Sequence, residues 1–140
     1  MDYDPSLPWR DVEGEGFNAH VGPIQVADLG EEWRFALKLD ARHMNSAGVC
    51  HGGLQMSLAD CGLGTCAYFA AGKRSVATID FEAHFLAAAK EGQMLHGAAR
   101  VARKAREFLF MEGQLWSGER QVLRCSGIWA IRQHRKGSAM

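Results

Sequence analysis

The stretch Gly52-Gly53-Leu54-Gln55-Met56-Ser57-Leu58-Ala59-Asp60-Cys61-Gly62-Leu63-Gly64-Thr65-Cys66-Ala67-Tyr68-Phe69-Ala70-Ala71-Gly72 carries a single charge, that of Asp60. A run of about 20 apolar residues is long enough to span a bilayer. Gln55, Ser57, Thr65, several glycines and a central carboxylate argue against that reading, because each polar group costs energy in hydrocarbon. What remains is a helix apolar nearly all round. Such a helix belongs inside a soluble core, covered on most sides.

The flanking sequence supplies the cover. Trp33, Phe35, Leu37 and Leu39 alternate with Arg34, Lys38 and Asp40, the period of a half-buried strand. Ile79, Phe81, Ala83 and Phe85 repeat the pattern against Asp80, Glu82 and His84. Weaker alternation follows through Leu95, Gly97, Ala99 and Val101, then Leu109, Met111 and Leu115, then Leu123, Cys125, Trp129 and Ile131. Lys90-Glu91-Gly92, Lys104-Ala105-Arg106 and Ser117-Gly118-Glu119 are short polar links. Links that short join antiparallel strands, because a parallel crossover needs a dozen residues or more. The expectation is α+β: one strand, a loop, one long helix, then four strands in a meander. The sheet curves around the helix, the arrangement called a hotdog. One domain is expected over 1–140, with an N-terminal segment over 1–20 and a flexible tail over 133–140.

The whole chain has 140 residues, with 16 Lys+Arg against 16 Asp+Glu and 47% hydrophobic residues. That is a globular composition, too apolar for disorder. Zero net charge gives no argument for nucleic-acid or anionic-membrane binding, and does little to oppose self-association. The acidic N-terminus lacks the apolar core of a secretory signal. Cys50, Cys61, Cys66 and Cys125 are therefore expected as reduced thiols in a cytoplasmic protein. Cys50-His51 with Cys61 and Cys66 lacks zinc spacing, so no metal is expected. Cys61 has no base at a useful spacing. His20, His43 and His134 read as scattered and exposed, His84 and His96 as interface or solvent residues. The basic run Arg132, Arg135, Lys136 is too short for a nucleic-acid surface.

The chemistry gathers before the helix. Gly52 and Gly53 leave its first N–H groups uncovered, at the positive end of its dipole, where a developing oxyanion could be held. A tight turn would also use these glycines. Asp60 adds a second signal. A lone carboxylate in an apolar helix needs either a cation, with Arg100 or Arg124 available, or an open cleft in which it acts as nucleophile or general base. Gly52 and Asp60 stand eight positions apart, about 12 Å along a helix at 1.5 Å per residue. Both groups of one chain can hardly reach one reacting carbonyl. Two antiparallel copies can, so a site using both is shared across a two-fold dimer.

Asn45, His51-Gly52-Gly53, Leu58-Ala59-Asp60, Val76-Ala77-Thr78-Ile79-Asp80-Phe81 and Phe85-Leu86 together resemble the phenylacetate-degradation (PaaI-like) branch of the hotdog acyl-CoA thioesterases. The likeness runs from about Arg42 to Ile131. It departs where Ala87-Ala88-Ala89-Lys90 replaces a proline corner, and where Ala105-Arg106 replaces a glycine-arginine pair. The resemblance implies hydrolysis of an aryl- or medium-chain acyl-coenzyme A to the free acid and CoA, without a cofactor. Asp60 would be nucleophile or base, and the Gly52 N–H, with Gly53 nearby, would polarise the carbonyl. Asn45 and His51 would orient the carbonyl or the loop, and Thr78 would hold the attacking water. The resemblance also implies a homodimer with shared sites, and exposed sheets with zero net charge favour dimers pairing into a homotetramer. Arg103, Lys104 and Arg106 are candidates for the CoA phosphates, although charged turns are common on any surface. Leu54, Leu63 and Phe69 could line the acyl slot but read more simply as core. A hotdog enoyl-CoA hydratase or dehydratase, and a non-catalytic acyl-CoA binder, are the competing readings.

Overall fold

A computed structural model describes residues 1–133. The expected tail from residue 134 onward, with His134, Arg135 and Lys136, lies outside the described residues.

The apolar stretch forms helix α2, Gly52–Ala70, which packs on five strands of one sheet. Leu54, Leu58, Ala59, Leu63, Cys66 and Ala67 are buried against it. Each fully buried leucine contributes about 1.5–3 kcal/mol by leaving water. Gly62 lets the helix approach closely, because a Cβ there would lie 2.3 Å from Cδ1 of Phe35. The helix ends in a Schellman motif. Gly72, at φ +70°, donates to the Phe69 carbonyl, and Lys73 donates to that of Tyr68. No described helix is long and apolar enough to cross a membrane.

The strands are β1 (Arg10–Asp11), β2 (Gln25–Asp28), β3 (Glu32–Lys38), β4 (Val76–Phe85), β5 (Met94–Lys104), β6 (Phe108–Ser117) and β7 (Arg120–Ile131). A short helix, α1, spans Phe17–Val21. All strand pairs are antiparallel, in the order β1-β2-β3-β5-β6-β7-β4. On β3, β5, β6 and β7 the inward faces are those read from alternation. Trp33, Phe35 and Leu37 are buried, as are Leu95, Leu109, Met111, Leu115, Leu123 and Trp129.

Four expectations are corrected. The last four strands are not a simple meander: β5, β6 and β7 are, but β4 lies beyond β7 and β5 pairs with β3. The link around Lys90-Glu91-Gly92 is therefore a crossing, not a hairpin. Its backbone is tied on the way, with Leu86 donating to Val122, Cys50 to Ala89 and Leu39 to Gln93. The chain ahead of β3 adds two strands and α1. The inward run of β4 breaks at Ile79, where a bulge between Thr78 and Asp80 leaves Ile79 56% exposed, and Phe85 is 52% exposed at the strand end. Finally, His43 and His96 are buried. His43 accepts from the Asp40 N–H at Nδ1 and donates from Nε2 to the Val21 carbonyl. His96 lies between the rings of Tyr3 and Trp116, with Nε2 2.9 Å from the Gly118 carbonyl. His20 and His84 are exposed.

Candidate active site

The loop before α2 is held by its own backbone. Asn45 Oδ1 accepts from the N–H groups of Ala47 and Val49, and the Asn45 N–H donates to Val49. These bonds close the turn that Gly48 completes at φ +80°. The His51 N–H donates to the His43 carbonyl. Asn45 thus has a loop-ordering role already filled.

His51 is the N-cap of α2. Its Nδ1 accepts from the Gly53 N–H at 2.8 Å, and its carbonyl accepts from Leu54 and Gln55. An accepting Nδ1 leaves the ring proton on Nε2 as a free donor. The expected use of Gly53 is therefore corrected: its N–H is occupied by the cap. Of the first helical N–H groups, that of Gly52 has no acceptor among the described residues. The Phe85 ring lies beside Gly52, since a Cβ there would be 3.2 Å from its Cε1.

Asp60 is exposed in the single chain, not embedded as the apolar context suggests. The outward stripe of α2 runs Gly53, Ser57, Asp60, Gly64 and Tyr68, at steps of three and four, so the sheet covers only the other faces. The cation alternative fails. Arg100 pairs with Glu112, and Arg124 lies opposite His84 and Gln114 in the sheet. The partner of Asp60 is Thr78, whose Oγ1 donates to Oδ1 at 2.7 Å. Thr78 sits where the β4 bulge begins.

Asp60 and Thr78 open on a cleft of about 970 Å³. Cys61, Gly64, Thr65, Tyr68 and Phe69 of α2 form one wall, and Val76 and Trp129 belong to the sheet side. Arg10 to Glu13 and Asn18 close it from the N-terminal segment. The Arg10 guanidinium lies over the rings of Trp33 and Phe69, 5.6 and 5.5 Å from their centroids. Leu54 and Leu63 are plain core, whereas Phe69 borders both core and cleft. Sequence reading missed Asn18, Tyr68 and Trp129. Tyr68 was findable as the residue eight after Asp60. Asn18 and Trp129 carry no local signal.

Arg103, Lys104 and Arg106 lie at the β5–β6 hairpin, near the C-terminal end of α2. Lys104 is partly accounted for, because its Nζ donates to the Ala70 carbonyl at 2.9 Å and caps the helix. Arg103 and Arg106 are exposed, and neither enters an ion pair among the described residues. Four free thiols are present. Burial pushes Cys50 and Cys61 up to about 11, and Cys66 and Cys125 up to about 12. Cys61 also feels the Asp60 charge. None is a thiolate near neutrality. Among the described residues no group of three or more His, Cys, Asp or Glu side chains is placed to hold a metal ion.

Residues 47–123 match the model of the thioesterase superfamily. A Pseudomonas aeruginosa protein named as an esterase, PA0474, is 35% identical over 97 residues, 69% of this chain and 72% of that protein. The Escherichia coli PaaI protein from the phenylacetic acid degradation operon shares the fold at TM-score 0.73, with 18% identity over 83% of each chain. The BH2602 protein of Bacillus halodurans, solved with CoA, shares it at TM-score 0.68, with 19% identity over 74% of this chain and 70% of that one.

Proposed function

The chain belongs to the thioesterase superfamily, a thioester hydrolase on the hotdog fold, and from that premise we propose that its substrate is an acyl-coenzyme A. The acyl group, aryl or medium-chain, enters the cleft beside Asp60. The observation that carries this reading is the exposed Asp60 carboxylate lining the cleft, held by Thr78 and without a cation partner among the described residues. That CoA was bound in one protein of the same fold supports the choice of thiol.

The thioester carbonyl docks on the Gly52 N–H of one subunit, with the His51 Nε2–H beside it. Asp60 of the other subunit attacks the carbonyl carbon, or takes a proton from a water that does. In the first case an anhydride forms and water hydrolyses it. In the second the acid forms directly. In both, the carbonyl oxygen becomes an oxyanion facing donors at a helix N-terminus, and the CoA thiolate leaves and is protonated. Thr78 spends its proton on Oδ1, so it fixes the carboxylate and can accept from the water. Asn45 orders the loop that presents His51 and Gly52.

Two subunits are required because α2 is continuous from Gly52 to Asp60, which keeps these groups about 12 Å apart within one chain. The edge strand β4, with exposed Ile79 and Phe85, and Leu86 just after it, is the surface a second copy would cover. Arg103 and Arg106 meet the CoA phosphates.

The test is thiol release across a panel of aryl and aliphatic acyl-CoAs, with Asp60→Asn as comparison. Turnover should fall by roughly 10²–10⁴ if Asp60 is a general base, with KM little changed. An Asp60→Asn enzyme with near-normal turnover would remove Asp60 from the mechanism. A monomer in sedimentation at assay concentration that still turns over would remove the shared site.

A further inference from the structure

Resting on the acyl-CoA reading, we infer that Trp129 is a specificity residue: its indole N–H, in the cleft floor, donates a hydrogen bond to an oxygen carried by the acyl group. The substrates favoured are therefore oxo- or hydroxy-acyl thioesters, above plain hydrocarbon ones of equal size.

Trp129 is opposite Thr78 in the β4–β7 register. Opposite residues of an antiparallel pair share a face, so both side chains point toward α2. Thr78 meets the helix at Asp60. Trp129 meets it one turn later, where a Cβ on Gly64 would lie 3.3 Å from Nε1. The catalytic pair and the indole N–H thus stand side by side, about one helical pitch, 5.4 Å, apart.

The indole is 1% exposed and lines the cleft. Its N–H has no acceptor among the hydrogen bonds of the described residues, although buried tryptophans usually find one. The ring is locked from the other side. Phe81 meets it edge-on at 6.3 Å between centroids, and Gly127 makes room for it, since a Cβ there would lie 2.7 Å from Cζ3. Gly64 leaves the space beside Nε1 free of a side chain. A side chain there would cover it.

An acyl oxygen reaches this donor if it lies about one helical turn from the reacting carbonyl. The δ position of a hexanoyl chain meets that distance. A hydrocarbon chain that covers this donor leaves it without an acceptor and is disfavoured about tenfold against one that carries an oxygen there.

The experiment compares δ-oxohexanoyl-CoA with δ-methylhexanoyl-CoA, which match in shape, by thiol release. Wild type should favour the oxo substrate about tenfold in kcat/KM. Trp129→Phe, which keeps the ring but loses the N–H, should bring the ratio toward one. Gly64→Ala, which lays a methyl group over the N–H, should do the same and covers the case in which Trp129→Phe fails to fold. A wild-type ratio near one, with both substrates turned over, overturns the inference and leaves the thioesterase reading intact. A tenfold ratio that survives in both variants overturns it too, since the donor then lies elsewhere. Absence of thiol release from every acyl-CoA tested overturns the underlying reading, and this inference with it.

Discussion

Thr78→Val isolates one hydrogen bond. Valine keeps the β-branched shape that suits a strand, so β4 and its bulge should persist. What is lost is the O–H that donates to Asp60 Oδ1 at 2.7 Å. A hydrogen bond to a charged group contributes about 1.5–3 kcal/mol net. Both groups are exposed in the protomer, so the low end applies, about 1.5 kcal/mol. On the proposed mechanism Asp60 is aimed in the transition state and need not touch the ground-state carbonyl, so the loss should appear in kcat. The expected fall is about tenfold, at 1.36 kcal/mol per factor of ten, with KM little changed. Thr78→Ser retains the donor and should recover most of the rate. The assay is steady-state thiol release with the best acyl-CoA of the panel, with thermal unfolding as a check on folding. A Thr78→Val enzyme within twofold of wild type, or a Thr78→Ser enzyme no better than Thr78→Val, would refute the aiming role.

The other predictions concern charge and burial. Arg103→Ala with Arg106→Ala should raise KM for acyl-CoAs but not for the matching acyl-pantetheine thioesters, which lack the distal phosphates. Lys104→Ala should instead cost up to about 1 kcal/mol of stability, read as a lower Tm, because its amine caps α2. Iodoacetamide at neutral pH should leave activity intact, because burial holds the four thiols at about 11 to 12. Rapid loss of activity on alkylation would contradict that. Burial also lowers the His96 pKa, against the raising effect of its bond to Gly118. The unfolded chain then binds its proton more readily than the folded one. Stability from this group is whole above the unfolded value of about 6.5 and falls as pH drops from there toward the lowered folded value. Urea unfolding of His96→Gln should show a shallower loss between those limits than wild type.

How far the site was legible depended on whether its parts were local. Gly52, Gly53 and the helix they open were readable because capping and periodicity act over a few residues. Asp60 stood out because its neighbours are apolar. What local reading could not supply was the environment of each group. Nothing in the chain near Gly53 says that His51 will turn its Nδ1 back onto that N–H, for a serine or an asparagine could have capped as well. Nothing near Asp60 says that the sheet leaves its side of the helix open. The misread exposure of His43 and His96 has the same origin. Their burial comes from Val21 and from Tyr3, segments distant in the chain.

By itself the sequence determined the class of fold and singled out Asp60 as the candidate acid, because a largely apolar helix flanked by alternating strands has few ways to leave water and its one charge stands out. The tertiary structure decided that β4 pairs at the far edge, that Thr78 meets Asp60, and that Trp129 comes to lie beneath Gly64. Those placements depend on sheet register and on one bulge. They join residues 18 and 65 positions apart, and no periodicity along the chain carries contacts of that range.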